Sequence, residues 1–379
     1  MRDIDAVRRA RWATAAIFLV NGTIVGTWAA HIPLVEARLS ISHATLGIAL
    51  LVMAAGALIA MPLTGSGIAR FGSAALTRWS TLALFLAFPL PLIAPAPALL
   101  MPALFLFGAA NGVMDVSMNA HGVMVERRLE RAIMSSLHGM WSLGGLAGAG
   151  FAALVLPLLP PLAEALTMLA AGGVGAIMAL RFLLPSSDDG GNGKVSFAWP
   201  SRATFALGAL CFLCMASEGA VLDWSALHLK ASLSLGPGLA ATGFAAFSAA
   251  MAASRFGGDS LRARFGSVAL VRWSALLAAA GMTLSLTVPS PLLAVAGFAL
   301  VGLGLANLVP VFFGAAGRTP GKGAGSAIAA VATVGYSGFL LGPPVIGVIA
   351  DLSSLAWALG LIVLACLAIA VSAGRVRAD

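Results

Sequence analysis

The stretch Arg70-Phe-Gly-Ser-Ala-Ala-Leu-Thr-Arg-Trp-Ser80 recurs 194 positions later as Arg264-Phe-Gly-Ser-Val-Ala-Leu-Val-Arg-Trp-Ser274, with nine of eleven residues identical. Three more pairs follow in the same chain order at nearly the same offset: Asn21-Gly22 with Glu218-Gly219, Gly108-x-Ala-Asn111 with Gly304-x-Ala-Asn307, and Trp141-Ser142 with Tyr336-Ser337. One match could arise by chance, but four in one order predict a duplication. We therefore expect two copies of one unit in parallel repeat.

The composition indicates where both copies reside. Hydrophobic residues make up 60% of the 379 residues, charged residues only 9%, and the mean hydropathy is +0.99. A soluble domain carries about 25% charged residues, so an ordinary globular protein is excluded. Apolar runs of about 20 residues, each long enough to cross a hydrocarbon core of about 30 Å, recur along the chain. We predict twelve spans, at about 12–35, 44–68, 73–94, 97–124, 132–156, 162–183, 203–229, 239–257, 267–288, 291–315, 323–349 and 354–374.

The positive charges determine the orientation of these spans. The net charge is +8, and with the N-terminus inside, 20 of the 22 Lys and Arg residues fall on the cytosolic side. Only Arg38 and Lys230 lie on the other side, as the positive-inside rule requires for an even number of spans. The charge thus follows membrane topology and does not indicate a nucleic-acid partner. The predicted fold class is an all-α polytopic membrane protein with twelve transmembrane helices in two pseudo-symmetric six-helix halves and both termini cytosolic.

A polar, Gly-rich segment separates the two copies. Pro185–Arg202, PSSDDGGNGKVSFAWPSR, cannot bury a core and is typical of a flexible linker. We predict an N-terminal half at 1–184, a cytosolic linker at 185–202 and a C-terminal half at 203–379. Two membrane halves joined in this way are the architecture of alternating access, in which the halves rock around a site near the midplane.

The duplicated R-F-G turn after spans two and eight, together with the six-plus-six repeat, resembles the major facilitator superfamily over the full chain. The chain is more loosely similar to the branch of fucose–proton symporter-like permeases and related uncharacterised bacterial proteins. The matching segments are Asn21-Gly22, Met114-Asp115-Val-Ser-Met-Asn119, Ser135-Ser-Leu-His138-Gly-Met-Trp141, Glu218-Gly219, Asp223-Trp224 and Gly258-Asp259. The resemblance implies a secondary active transporter, multi-pass in the bacterial inner (plasma) membrane, without a cofactor.

The chain departs from the superfamily pattern at two places. The acidic residue that precedes R-F-G in the family is replaced by Ala69 and Ala263, although Asp259 lies one helical turn before Ala263. The fifth span lacks the Gly-Pro pair of drug–proton antiporters. The first difference puts an acid–arginine gate in doubt, and the second weighs against drug efflux. The gating candidates are Arg70, Arg78, Asp259, Arg264 and Arg272.

Polar groups inside the fourth and fifth spans are the first candidates for chemistry. Asn111, Asp115 and Asn119 are spaced i, i+4 and i+8, which puts them on one stripe of a helix. No Lys or Arg is expected deep in any span, so Asp115 has no evident cationic partner and is a candidate proton carrier. His138 can relay a proton near neutral pH. Structural hydrogen bonds between helices are the alternative for both side chains.

Span seven supplies the third proton-coupling candidate, Glu218, which occupies the repeat position of Asn21. The substrate-cavity candidates are polar or aromatic side chains inside spans: Asn21, Trp28, Asn111, Asn119, Trp141, Asp223, Asn307 and Tyr336. Alternatives stay open for several: interhelical bonding for Asn111 and Asn307, an interfacial anchor for Trp28, and a helix end or outer gate for Asp223. His31, His43 and His228 are expected to be solvated near the outer boundary and without function.

These residues predict proton-coupled secondary transport of a small polar organic solute, sugar-like or otherwise hydroxylated. Proton-linked efflux of amphipathic compounds or drugs is the alternative, and a non-transporting receptor on the same fold is disfavoured. We expect no enzyme, because no catalytic constellation or metal-ligand spacing is visible, and Cys211-x-x-Cys214 lies in an apolar span and indicates helix packing. The expected partners are the solute, protons and the lipid bilayer, with the chain as a monomer.

Overall fold

The computed structural model describes residues 2–130, 133–185, 202–317 and 324–376, which form helices joined by short turns. In chain order the helices are α1 (Arg2–Leu39), α2 (His43–Phe71), α3 (Ser73–Ala87), α4 (Pro89–Ile93), α5 (Pro97–Leu129), α6 (Met134–Val155), α7 (Pro161–Leu180), α8 (Arg202–Leu233), α9 (Pro237–Thr287), α10 (Pro291–Leu305), α11 (Leu308–Gly317), α12 (Ala324–Leu352) and α13 (Leu355–Val371), followed by a 3-10 turn at Ser372–Val376. The described ranges contain no β-strand, so the all-α prediction is confirmed.

Ten helices in the described part of the chain are long and apolar enough to cross a membrane. The predicted spans 132–156 and 239–257 fall on α6 and on the first part of α9, which are not among these ten, so the count of twelve stays a prediction. Two other predicted spans are each composed of two helices. The span at 73–94 contains α3 and α4, and the span at 291–315 is divided between α10 and α11.

The duplicated R-F-G turn repeats in backbone conformation as well as in sequence. Gly72 has φ 83 and ψ 156, and Gly266 has φ 74 and ψ 161. Only glycine occupies this region of the φ/ψ map without strain, which explains why both copies carry glycine here. The Arg-Phe pair before each glycine also makes the same contact. The guanidinium of Arg70 lies over the Phe71 ring at 5.0 Å, and that of Arg264 lies over the Phe265 ring at 5.4 Å.

The chain forms two compact units. Unit 1 contains Met1–Ile41, Ala49–Gly193 and Gly236–Ala245, and unit 2 contains Ser42–Ile48, Lys194–Leu235 and Ala246–Asp379. Each unit therefore includes the first residues of one helix from the other half of the sequence: α2 begins in unit 2, and α9 begins in unit 1. The boundaries of the halves at 184 and 203 stay a prediction.

Glycines allow the principal helix pair of each unit to approach at backbone distance. In unit 1, α1 packs on α6, and a Cβ atom at Gly22 or Gly144 would overlap a backbone carbonyl of the other helix, that of Trp141 or Leu19. In unit 2, α8 packs on α12, where a Cβ at Gly338 would meet the Phe212 carbonyl. Small residues are the usual means of close packing in membranes, and here they hold the predicted site positions next to neighbouring helices.

Candidate functional site

Asn21 joins three helices of unit 1. Its Nδ2 donates a hydrogen bond of 2.9 Å to Oδ1 of Asn111 on α5, and its Oδ1 accepts one of 2.8 Å from Nε1 of Trp141 on α6. Because an indole nitrogen can only donate, the Trp141 bond fixes which way the Asn21 amide points. Asn21 is 1% exposed, while Asn111 and Trp141 are half-buried. We call these three residues the amide cluster; all are predicted cavity residues.

Asp115 lies one turn beyond Asn111 on α5 and is held by Asn119. The Asn119 Nδ2 donates to the Asp115 carbonyl at 2.8 Å and to its Oδ1 at 3.2 Å. No ion pair of Asp115 occurs among the described residues. On α6, the predicted relay residue His138 packs its ring edge-to-face on Phe18 of α1, with centroids 5.4 Å apart. On α5, therefore, the Asp115 carboxylate is bonded to the Asn119 amide and lies one helical turn from Asn111 of the amide cluster.

Glu218 has a cationic partner that the sequence-based prediction missed. Nη2 of Arg255, on α9, lies 3.9 Å from Oε2 of Glu218, and both side chains are largely buried. Cys214 Sγ donates to the other carboxylate oxygen at 3.7 Å. The expectation that no Lys or Arg reaches deep into a span is therefore wrong for Arg255. A guanidinium on a long stem can extend well away from its own backbone position, which hydropathy cannot indicate.

Asn307, the repeat mate of Asn111, bonds differently. Its Nδ2 donates to the Ser254 Oγ at 2.9 Å and to the Ser254 carbonyl at 3.3 Å, which joins the α10–α11 junction to α9. Interhelical bonding, the structural alternative, is thus what Asn307 does in unit 2.

Asp223 is 4% exposed, and its Oδ1 has no hydrogen-bond partner among the described residues. Tyr336 is partly exposed, with its ring 6.4 Å from that of Phe339.

Several expectations about the outer boundary are wrong. Trp28 is fully buried with its ring edge-to-face on Phe107 at 5.8 Å, so it is not an interfacial anchor. His31 is fully buried as well, and its Nε2 lies 3.1 Å from Oε2 of the equally buried Glu164. His228 is buried, with Nε2 3.3 Å from the Ser285 carbonyl. The two histidines were expected in water because span ends alone do not show which faces other helices cover.

Three of the gating candidates contact aromatic rings or a helix end. Besides the Arg70 and Arg264 contacts with neighbouring rings, Arg78 donates from Nε to the Leu180 carbonyl at 3.1 Å, which connects α3 to the end of α7. Arg272 is exposed on α9. The side chain of Asp259 lies outside the described residues. A gating role for any of them stays a prediction.

The described polar groups are suited to binding hydroxyl or amide groups and to holding protons. No cluster of metal-ligating side chains occurs within the described ranges. An apolar groove of about 400 Å³ lies between α8, α12 and α13, but it contains none of the predicted site residues. The polar chemistry is therefore concentrated on α1, α5 and α6 of unit 1 and on α8 and α9 of unit 2.

Comparison with known proteins gives a consistent set of relatives. The chain is 37% identical over 365 residues to an uncharacterised MFS-type transporter of Yersinia pestis, covering 96% of this chain and 95% of the relative. It is 35% identical to the uncharacterised transporter y4wD of Sinorhizobium fredii (90% and 91% covered) and 38% identical to the membrane protein MosC of Rhizobium meliloti (92% and 85% covered).

Solved structures agree with these relatives on the fold. A mutant form of the nucleoside transporter NupG superposes with a TM-score of 0.77 at 11% identity, covering 97% of this chain and 99% of that one, and a second NupG structure gives 0.70 at the same identity, covering 98% of each chain. No family model matches the chain.

Proposed function

Because the chain belongs to the major facilitator superfamily of membrane transporters, we propose that it moves a small polar organic solute across the membrane by alternating access, coupled to protons. It is a multi-pass protein of the bacterial inner membrane, and two of its relatives and its structural neighbours are transporters rather than enzymes. The solute class that fits the polar groups best is a sugar-like or otherwise hydroxylated metabolite.

The observation that carries the solute class is the amide cluster. Asn21, Asn111 and Trp141 supply uncharged donors and acceptors on three helices that meet in unit 1. Amides hydrogen-bond to hydroxyls, and an indole ring offers a flat apolar surface on which a sugar ring can stack. Polar groups inside a bilayer are costly unless they are paired, so a cluster of this kind has a functional interpretation as well as a structural one.

Proton coupling rests on two carboxylates in different chemical settings. Asp115 is bonded to an amide, while Glu218 lies 3.9 Å from the Arg255 guanidinium. A proton on Glu218 neutralises the acid and weakens its attraction to Arg255, which can change how α8 and α9 pack. A proton on Asp115 turns an acceptor into a donor next to the amide cluster. Either event would link a proton to the solute cycle.

The test is uptake into proteoliposomes with an imposed pH gradient, after a thermal-shift screen of sugars, sugar alcohols and nucleosides has identified a binding solute. We expect Asp115→Asn to keep solute exchange between equal concentrations but to lose most gradient-driven accumulation. Glu126→Gln is the matched control because Glu126 lies on the same helix but accepts bonds from the backbone N–H groups of Ile133 and Met134. It should accumulate solute as the wild type does.

Full gradient-driven accumulation by Asp115→Asn would eliminate Asp115 as the coupling group. The same assay on Glu218→Gln and Arg255→Gln decides whether the pair in unit 2 couples instead. If no polar metabolite binds and cells that overproduce the protein become resistant to amphipathic drugs, the solute class is wrong and efflux replaces it.

A further inference from the structure

Asp351, near the end of α12, is bonded to the first turn of α2. One carboxylate oxygen accepts from the backbone N–H of His43 at 3.0 Å and the other from that of Ala44 at 2.9 Å. Both segments belong to unit 2, since Ser42–Ile48 groups with it while the rest of α2 groups with unit 1. In the predicted topology, both helix ends lie on the outer side of the membrane.

The two hydrogen bonds from Asp351 stabilise the N-terminus of α2 in two ways. The first N–H groups of a helix have no partner within the helix, and a carboxylate that accepts them acts as an N-cap. The negative charge also interacts favourably with the positive end of the helix dipole. Ser42, the residue just before α2, accepts from the Thr45 N–H at 3.2 Å, and Asp351 adds a second cap from a distant part of the sequence. The cap therefore fastens two helices together.

The surrounding contacts make this junction close-fitting. A Cβ atom at Gly47 would overlap the backbone of Pro343 and Pro344, and one at Gly347 would overlap the carbonyl of His43. The His43 ring meets Trp224 of α8 edge-to-face at 5.9 Å. We call Asp351, His43 and Ala44 the outer latch.

The repeat contains a second junction that lacks the polar contact. The offset of 194 that relates Arg70 to Arg264 carries His43 to Pro237 and relates Asp351 back to Pro157. Proline at 237 has no N–H to donate, and proline at 157 has no carboxylate to accept it. In unit 1 this junction is instead apolar: a Cβ at Gly238 would meet the Ala153 carbonyl and Pro157, and Ala30, Ala152 and Ala241 form a buried cluster beside it.

We propose that the outer latch holds the start of α2 on α12 whenever the outer side is closed, and that it must open for the outer side to admit or release solute. The proposal rests on alternating access as the proposed function. In this proposal, closure at the Asp351 junction depends on a charge. Closure at the apolar junction around Gly238 does not.

The test measures the distance between α2 and α12 directly, without a solute. Ile48→Cys and Leu352→Cys introduce a spin-label pair beside the latch at positions that are 49% and 81% exposed, while the three native cysteines are buried. Electron paramagnetic resonance of the labelled full chain in lipid should give one short distance in the latched protein. Asp351→Ala should raise a longer-distance population about five- to tenfold, the scale expected for loss of a charged cap. Asp351→Asn, which keeps an acceptor but not the charge, should give a smaller rise.

Ser354→Ala is the matched control. Ser354 caps α13 by accepting from the Trp357 N–H at 3.3 Å, so its loss removes a cap nearby without releasing α2. The proposal is overturned if Asp351→Ala leaves the distances unchanged, or if Ser354→Ala changes them as much. Because the distances require no solute, an unchanged distance refutes the latch even if transport is found. A failed transport assay alongside altered distances would instead refute the proposed function.

Discussion

Replacing Gly266 by alanine tests whether the duplicated turn depends on glycine for its conformation. Gly266 has φ 74 and ψ 161, and a Cβ atom placed there would meet no other atom within 4 Å. The cost of the substitution is therefore purely conformational. An L-residue held in this region pays about 1–3 kcal/mol. We expect Gly266→Ala to lower the free energy of unfolding by that amount.

The control is Gly257→Ala, in the helical segment of α9 that precedes the kink at Gly266. Gly257 is in regular helix, and its Cβ would also meet nothing within 4 Å, so alanine should stabilise it by about 0.5–1 kcal/mol through helix propensity. Each variant adds one methyl group, and their free energies of unfolding should differ by about 1.5–4 kcal/mol. Thermal unfolding of the detergent-solubilised protein measures the difference. Equal stability of the two would refute the assignment of strain to position 266.

Two further predictions concern buried contacts of unit 1. Glu164→Leu should lower stability by about 3–5 kcal/mol because it removes the carboxylate beside the buried His31 and leaves the ring with the Thr27 and Pro161 carbonyls. The double variant His31→Leu with Glu164→Leu should cost less, and a double variant as unstable as the single would contradict this. Gly144→Ala should destabilise by about 1–3 kcal/mol because its Cβ would overlap the Leu19 carbonyl, while Gly150→Ala, with open space around it, should not. Thermal unfolding measures both, and indistinguishable melting of the two glycine variants would disprove the second.

The sequence was sufficient for the fold class because its strongest signals are one-dimensional. Long apolar runs and a repeat at a fixed offset predict a duplicated helical membrane protein without knowledge of any contact. The repeated R-F-G also predicted a shared turn, and the positive φ at Gly72 and Gly266 supplies its physical reason. Hydropathy could not predict that two spans would each be divided, because both remain apolar across the break.

The site could be predicted only in part because it depends on which helix faces meet. Spacing on α5 correctly grouped Asn111, Asp115 and Asn119, but nothing in the sequence indicates that Trp141 would donate to Asn21. Arg255 was missed because its position near a span end implied a solvated side chain. The buried pair of His31 and Glu164 was missed because both residues lie near span ends and are far apart in sequence.

The two copies share the backbone conformation of the R-F-G turn but differ in their polar chemistry. Position 21 carries an amide bound to two uncharged partners, and its repeat mate carries Glu218 beside a guanidinium. An amide cannot change its charge, so the network around Asn21 offers the same donors and acceptors at every pH. A carboxylate facing Arg255 has two charge states, and its attraction to the guanidinium is weaker when it is protonated. The proposed proton-coupled transport needs both a fixed set of groups to recognise the solute and a variable group to couple it to protons. Under the proposed function, the duplication supplies two equivalent positions, and substitution at one of them separates these tasks.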